Sequence, residues 1–319
     1  MATNTTTVLS NQYQNAIEAL TEGTAPSGTR TLSLAKIEKS LTQRGQVIEL
    51  TDILTATDLF NSLQQSIKTN GQDAALDMDT ITRNTVVGSN VGGTAMEGGY
   101  AADMSASLDN GDTLVELYAD GTKETTAATQ YTAFEASTGA GTLLDAAAVL
   151  NAVTQLKVNR AQAARGGMYV AAASPQVISD IMVDTTWVNA ATYSNVGDLY
   201  KGEVGSLYGA KFIMTTNPFI SGDANGTDAD RVIYDASGGG GTTATNDVHA
   251  TLFLGDEAYG CPDLSSQSPF SPKVEIVDTA DKSDPLNQKT TCSFKTYWTT
   301  LRLNPNYYVV MRSKTASTA

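Results

Sequence analysis

The stretch SDPLNQKTTCSFKTYW (residues 283–298) begins as a turn and continues as a strand rich in threonine and aromatic residues. Asp284 and Pro285 are typical of turns, whereas threonine and aromatic side chains favour strands. The stretch contains no nucleophile beside a base, no metal-ligand cluster and no phosphate-binding loop. It therefore indicates a structural rather than a catalytic role.

The composition is that of an acidic globular protein. Of the 319 residues, 41% are hydrophobic and only 17% are charged, and the formal net charge is −14. This length suffices for one large domain or two of ordinary size. An acidic surface repels phosphate backbones, and the 20 lysine and arginine residues form no run, so direct nucleic-acid binding is disfavoured.

Cysteine usage and the N-terminal sequence indicate where the protein is made. Cys261 and Cys292 are far apart and form no C-x-x-C motif, which favours a reducing compartment. The first residues lack the basic and apolar regions of a secretory signal, and no apolar run approaches the roughly 18 residues of a membrane-spanning helix. We expect synthesis in a cytoplasm and no membrane partner.

The N-terminal part of the chain predicts an arm, two strands and a long helix. Residues 1–28 are interpreted as an arm without helix or strand, and residues 29–51 as an extended two-stranded element whose second strand starts after Gly45. Asp58 is expected to cap a helix that continues to residue 87. Its apolar positions recur at steps of three and four, at Phe60, Leu63, Ile67, Gly71, Ala74, Met78 and Ile81.

The remainder predicts a mixed α+β domain. Residues 88–141 are irregular and are interpreted as an insertion with a short strand at 113–118. Thr142 and Asp145 resemble a capping box at the start of the next helix. Further strands are expected at 168–173, 210–216, 231–235, 248–254, 272–278, 289–303 and 307–312.

A second, shorter helix is expected directly after the strand at 168–173. Ser174 is predicted to be its N-cap, and Pro175 to occupy the first helical position. A strand between two helices supports the α+β assignment.

No enzyme signature is present. His249 is the single histidine and stands in a predicted strand, and Cys261 follows a turn without a partner base. Ser206 follows Glu203, but the surrounding residues do not match the G-x-S-x-G nucleophile motif. We therefore predict no catalytic residue and no cofactor.

One acidic loop, DANGTDAD (residues 223–230), is a candidate for calcium binding. Its hard oxygen ligands would be Asp223, Asn225, Asp228 and Asp230. Calcium loops of the EF-hand type need glycine at position six and glutamate at position twelve, whereas here Gly226 is fourth and Tyr234 is twelfth. We interpret the loop as a solvated turn, with weak calcium binding as the alternative.

Five segments, in the same order, resemble the major capsid (major head) protein family of podoviruses related to coliphage N-four. The opening stretch extends to ADKSDPLNQKTTCSFKTYWTTLRLNPNYYVVMRS (280–313), which is similar to that family's C-terminal segment. The others are LTEGTAPSGTRTLSLAKIEKSLTQRGQVIELTDIL (20–54), ASPQVISDIM (173–182), YKGEVGSLYGAKFIMTTN (200–217) and LFLGDEAYG (252–260). The resemblance covers about residues 20–87 and 142–312.

The resemblance implies the Hong Kong 97-type capsid fold, an α+β architecture with an N-terminal arm, an extended loop, a peripheral domain with a long spine helix, and an axial domain. Mapped onto this chain, the regions are an arm (1–28), an extended loop (29–57), a spine helix and peripheral domain with an inserted or divergent segment (58–141), an axial domain (142–260) and strands that return to the peripheral domain (261–319).

The implied function is that of a coat subunit in the virion of a tailed double-stranded DNA phage, made in the bacterial host cytoplasm. Such a subunit forms pentamers and hexamers of an icosahedral shell and has scaffolding, portal and decoration proteins as possible partners. It encloses DNA without sequence-specific binding. The alternative is an acidic surface-layer or adhesin-like structural protein with calcium-dependent order.

Aromatic side chains near the C-terminus are candidates for either the core or subunit contacts. Phe294, Trp298, Tyr307 and Tyr308 lie in or beside predicted strands. We predict that they belong to the core of the subunit.

Overall fold

The computed structural model describes residues 3–9, 22–23, 34–59, 61–87, 115–122, 142–164, 166–184, 205–221, 248–261, 273–279, 285–286 and 288–315. Its helices are α1 (Asp52–Thr57), α2 (Ser62–Val87), α3 (Ala146–Val158) and α4 (Pro175–Val183). Its strands are β1 (Thr3–Leu9), β2 (Leu34–Ser40), β3 (Thr42–Thr51), β4 (Val115–Tyr118), β5 (Tyr169–Ala173), β6 (Ser206–Leu207), β7 (Ala210–Met214), β8 (Phe219–Ser221), β9 (Val248–Leu254), β10 (Tyr259–Gly260), β11 (Lys273–Val277), β12 (Lys289–Trp298), β13 (Leu301–Arg302) and β14 (Tyr308–Ser313).

A seven-stranded mixed sheet forms the larger part of the described structure. Its order is β4-β14-β9-β5-β7-β6, and β8 pairs with β9 beyond the end of β5. Strand β9 is central because β14 pairs along one edge while β5 and β8 share the other. Its burial fits this position, since every residue from Val248 to Thr251 is buried.

The two faces of this sheet have different cores. On one face, α3 and α4 pack through Val149, Leu156 and Ile181 against Phe253 and Met311. Side chains alternate along β14, so its other residues point to the opposite face. There Tyr308 and Val310 pack with Phe219 and with Val86 and Val87 from the end of α2.

A second, three-stranded sheet has the order β11-β12-β3, and helix α2 packs on it. Strand β12 pairs with β3 along ten residues, from Lys289 opposite Thr51 to Trp298 opposite Thr42. Alternate β12 residues, including Cys292, Phe294 and Thr296, are buried. Helix α2 thus contacts both sheets, the smaller along its length and the larger at its C-terminal end.

The first two strands form a separate two-stranded ribbon. Strand β1 pairs antiparallel with β2, from Thr3 opposite Ser40 to Leu9 opposite Leu34, and neither joins another described strand. This corrects the interpretation of residues 1–28 as an arm without strands. It also corrects the expected pairing within residues 29–51, since β2 and β3 each have a different partner.

The predicted helices are confirmed, but two of their starts were wrong. Helix α2 begins at Ser62 rather than at Asp58, and the Asp58 carboxylate accepts the Ser62 N–H while Asn61 Oδ1 accepts the Gln64 N–H at 3.3 Å. A short helix, α1, occupies the preceding residues. On α2, the predicted apolar position Gly71 is exposed.

Helix α3 begins at Ala146, with Asp145 alone as its N-cap. The Asp145 carboxylate accepts the Ala148 N–H at 2.7 Å. Thr142 does not complete a capping box, because it lies before the cap and its carbonyl accepts the Lys314 N–H at 2.8 Å. Helix α4 is as predicted, since Ser174 Oγ accepts the Val177 N–H at 3.3 Å and Pro175 is its first residue.

The predicted strands at 168–173, 210–216, 248–254, 272–278 and 307–312 are confirmed within one or two residues. The strand at 113–118 is confirmed for Val115–Tyr118. The strand predicted at 289–303 is divided at Thr299 and Thr300 into β12 and β13. The strand predicted at 231–235 lies outside the described residues.

Strand β3 starts at Thr42, before Gly45, because the glycine allows two backbones to approach closely. A Cβ atom at Gly45 would lie 2.6 Å from the carbonyl oxygen of Phe294 on β12. A glycine inside a strand can mark such an approach rather than an end of the strand.

Gly45→Ala is expected to lower the free energy of unfolding by about 2 kcal/mol, because β3 and β12 must separate to admit the methyl group. The control is Gly71→Ala on α2, where a Cβ atom would meet nothing within 4 Å. That change is expected to raise stability by about 0.5–1 kcal/mol through helix propensity. Urea unfolding of both variants checks this, and equal stability of the two would contradict it.

Candidate assembly surfaces

The outer face of the three-stranded sheet is exposed and carries both charge signs. Lys289 Nζ lies 3.0 Å from Glu49 Oε2, and Lys273 forms an ion pair with Glu275. The Lys295 ammonium lies 5.4 Å from the centre of the Tyr297 ring. These contacts are exposed to water and contribute little to the stability of the subunit.

The edges of the same sheet are unpaired among the described strands. Strand β11 is exposed at all five positions, and its apolar residues Val274, Ile276 and Val277 are 44–50% exposed. Exposed edge strands are surfaces to which another chain adds readily. The sheet therefore offers backbone and apolar surface for contact with a neighbouring chain.

Polar contacts from α2 to the small sheet are buried at Asn70 and partly buried elsewhere. Asn70 Nδ2 donates to the carbonyl oxygen of Cys292 at 3.0 Å and lies 3.3 Å from its Sγ. Trp298 Nε1 donates to Thr82 Oγ1 at 3.3 Å, and Arg44 Nη1 lies 3.3 Å from Asp77 Oδ1. These directional bonds fix the position of the helix along the strands, which apolar packing alone leaves free to slide.

Asn217 forms hydrogen bonds between α2 and the larger sheet, and we call this set of contacts the Asn217 joint. Its Oδ1 accepts from Arg83 Nη1 at 2.6 Å, and its Nδ2 donates to Asp79 Oδ2 at 2.9 Å and to Thr80 Oγ1 at 3.0 Å. Asn217 lies between β7 and β8, so one amide of the large sheet binds three side chains along one side of the helix.

The Phe219 ring lies next to this joint. The Arg83 guanidinium carbon is 5.9 Å from the ring centre and that of Arg312 is 5.1 Å. Both arginines are buried, and desolvation strengthens the attraction between a guanidinium and an aromatic face. The joint therefore combines hydrogen bonds with cation–π contacts.

The predicted site residues do not come together. His249 is buried on β9, with its Nδ1 3.0 Å from Ser174 Oγ, and burial lowers its pKa to about 4. Cys261 is exposed, with its Sγ 3.6 Å from Thr300 Oγ1, and Ser206 is exposed on β6. In the described residues no group of three or more metal-ligating side chains is found.

The calcium candidates Asp223, Asn225, Asp228 and Asp230 lie outside the described residues. Glu203 lies outside them as well. No described helix is long and apolar enough to cross a membrane.

The C-terminal aromatic residues divide between core and partly exposed positions. Tyr308 and Phe294 are buried, in agreement with the predicted core role. Trp298 and Tyr307 are half-buried, and Tyr307 packs against both cores of the large sheet. The sequence analysis missed Asn217, Asn70 and Arg312, because their partners are distant in the chain and no local motif marks them.

Solved structures similar to this chain include the capsids of several phages. The chain matches the capsid of cyanophage Pam1 with a TM-score of 0.62 and 15% identity over 99% of this chain and 85% of the other. It matches the capsid of cyanophage P-SCSP1u with a TM-score of 0.59 and 16% identity over 98% and 84%, and the capsid of Ralstonia phage GP4 with 0.58 and 11% over 100% and 84%. The chain has the Hong Kong 97-type capsid fold.

The expected assignment of residues 58–141 to a spine helix and peripheral domain, and of residues 261–319 to strands that return to that domain, stays a prediction. No protein-family model matches the chain, and no curated protein matches it in sequence. Since the three structures named above are only 11–16% identical to this chain, they show the fold alone.

Asn217→Ala is expected to lower the free energy of unfolding by about 3 kcal/mol, because the buried Arg83 guanidinium loses an acceptor and Asp79 loses a donor. The control is Asn151→Ala, at an exposed position of α3, which is expected to be neutral or slightly stabilising. Chemical unfolding measures both. A loss below 1 kcal/mol for Asn217→Ala would contradict the role of the joint.

His249 is expected to make the fold sensitive to acid. Its folded pKa of about 4 is below the ordinary 6.5, so its contribution is complete above pH 6.5 and is lost as the pH falls towards 4. The loss is about 3 kcal/mol for a shift of this size.

The measurement is the unfolding free energy against pH for the wild type, His249→Asn and Ser174→Ala. Carboxylates titrate in the same pH range and contribute to every profile. The test is therefore the difference in slope between the wild type and each variant. His249→Asn is expected to flatten the profile between pH 6.5 and 4, whereas Ser174→Ala loses helix-cap stability but keeps the slope. Equal slopes for the wild type and His249→Asn would disprove the role of His249.

Proposed function

We propose that this chain is the major capsid protein of a tailed double-stranded DNA phage, and that its copies assemble into the icosahedral head. The observation that carries the proposal is the likeness to phage capsid structures over 98–100% of the chain. The role is structural and not enzymatic.

The described surfaces support self-assembly. A two-stranded ribbon such as β1–β2 is marginally stable alone in water and gains stability when another surface covers it. The exposed edge strand β11 offers a second surface for a neighbour. In a shell, each subunit meets several copies through contacts that close around symmetry axes, which suits separate surfaces of this kind.

The acidic charge agrees with a wall around packaged DNA. At a net charge of −14, the chain repels phosphates overall, so the genome does not adhere strongly to the shell during packaging. The proposal includes pentamers and hexamers, synthesis in the host cytoplasm and a final place in the virion. Scaffolding, portal and decoration proteins are the other partners it allows.

The five sequence segments described above support a finer assignment to the capsid proteins of podoviruses related to coliphage N-four. The proposed peripheral domain comprises α2 and the small sheet, to which β11 and β12 return. The proposed axial domain comprises residues 142–260, and we place β14 with it because β14 pairs with β9 in the large sheet. The pairing of β12 with β3 supports this division, because it joins the C-terminal part of the chain to the N-terminal part within the small sheet.

Negative-stain electron microscopy of the purified chain, with light scattering on a sizing column, tests the proposal. We expect closed shells tens of nanometres across, or pentamers and hexamers that convert to them, with or without a calcium chelator. Flat lattices that form only with calcium would favour the surface-layer alternative. A chain that stays monomeric up to millimolar concentration would contradict self-assembly.

A further inference from the structure

Hydrogen bonds from one turn of α2 reach both sheets. Thr82 and Arg83 are neighbours in the sequence, yet the Thr82 hydroxyl bonds to the small sheet and the Arg83 guanidinium to the large one. Adjacent helical residues point about 100° apart, so one turn of a helix can hold partners on different sides. We call this arrangement the α2 clamp, and its side chains are those of Asp79, Thr80, Thr82, Arg83, Asn217, Trp298 and Thr300.

On the side of the small sheet, the Thr82 hydroxyl is fully used. It donates to the Met78 carbonyl at 2.9 Å. It accepts from Trp298 Nε1 at 3.3 Å and lies 3.1 Å from Thr300 Oγ1. A hydroxyl has one hydrogen and two lone pairs, so with its hydrogen on the Met78 carbonyl it accepts from both neighbours. The end of β12 is thereby held at a defined position on the helix.

On the side of the large sheet, the Asn217 amide is oriented by its neighbours. A guanidinium can only donate, so Asn217 presents its oxygen to Arg83 Nη1 at 2.6 Å. The Asn217 Nδ2 group donates to Asp79 Oδ2 at 2.9 Å and to Thr80 Oγ1 at 3.0 Å, so both of its hydrogens are used. Arg83 Nη1 also donates to the Pro218 carbonyl at 3.2 Å. A reversed amide would face Arg83 with a second donor, so the joint admits one orientation.

A small tilt of α2 about the clamp would be amplified along the helix. From Thr82 back to Ser62 the helix extends for roughly 30 Å, at about 1.5 Å per residue. A tilt of about 5° would move its first turn, and the strands packed on it, by roughly 3 Å. Contacts between copies are packed as closely as a protein interior, so a displacement of this size would misplace them.

We propose that the α2 clamp fixes the angle between the small and large sheets in the free, unassembled subunit, and that this angle determines the diameter of the assembled particle. Each copy in a closed shell repeats the same contacts around symmetry axes, so an error in the subunit angle is repeated at every contact. A clamp that tolerated several angles would allow particles of several diameters. The inference rests on the proposed capsid function and assigns the choice of particle size to residues inside the subunit.

Spin-label distances in the free subunit test whether the angle is fixed. Labels are attached at Val47→Cys on β3 and Val183→Cys on α4, both of which are exposed. The background is Cys261→Ser, since Cys261 is exposed and Cys292 is buried. Double electron–electron resonance is recorded below the concentration of shell formation. We expect one narrow distance distribution for the unaltered clamp.

Two clamp variants and one control are compared in this labelled chain. Asn217→Ala removes the joint to the large sheet, and Thr82→Val removes the acceptor for Trp298 with little change in shape. Both are expected to widen the distance distribution at least twofold. The control, Val149→Ala, removes buried volume from the core between α3 and the large sheet, so it lowers stability without touching the clamp. Its distribution is expected to stay narrow.

The result is decisive for each clamp variant that folds. If Asn217→Ala is too unstable to fold, the isosteric Thr82→Val variant alone decides. A folded clamp variant whose distance distribution is as narrow as that of the control would overturn the proposal.

Electron microscopy of the assembled particles tests the consequence for size. Unlabelled wild type and Val149→Ala are expected to form shells of one diameter. For Asn217→Ala and Thr82→Val, we expect the share of protein in shells of that diameter to fall at least twofold, with other diameters or open sheets in their place. An unchanged share in a clamp variant that folds would overturn the role of the clamp in particle size.

Failure of this inference is distinguishable from failure of the proposed function. If the wild-type chain forms no shells, the capsid function itself is contradicted, while the spin-label distances still show whether the clamp fixes the angle. If wild-type and clamp variants form shells of the same diameter, the capsid function stands and the proposed control of particle size is wrong.

Discussion

The structure depends on the pairing of β12 with β3. This pairing joins strands separated by more than two hundred residues and runs over ten residue pairs. It creates the surface on which α2 lies, and the buried bond from Asn70 to the Cys292 carbonyl fixes the helix upon it. Closing so long a loop costs conformational entropy, which the burial of Cys292, Phe294 and Thr296 against the helix helps to offset.

Helix α2 contacts both sheets, so the position of the small sheet is coupled to that of the large sheet through this helix. Its C-terminal end forms part of the second core of the large sheet, and Asn217 binds three of its side chains. A tilt of the helix would therefore alter both the small sheet and the large one. In an assembly that closes upon itself, a fixed angle between these two parts determines whether successive copies form a shell.

Local patterns predicted the helices and most strands because their signals are local. Ser174 and Pro175 mark the start of α4 by cap chemistry alone. The predictions that were wrong have physical causes. Gly45 was interpreted as a break before the strand, whereas the close approach of Phe294 requires a glycine within it.

The contact surfaces were less predictable than the elements. The ribbon of β1 and β2 depends on a pairing between residues about thirty positions apart, and the Asn217 joint depends on partners more than 130 positions away. Neither has a periodicity or a motif. The capsid fold itself was predictable from five short segments in order, although no whole-chain sequence match supports it.

A cryo-electron microscopy reconstruction of the particles formed by the full chain tests the central claim most directly. The account predicts a closed icosahedral shell in which the β1–β2 ribbon of each copy lies on a neighbouring copy. Filaments or flat sheets, or a ribbon packed only against its own subunit, would contradict it.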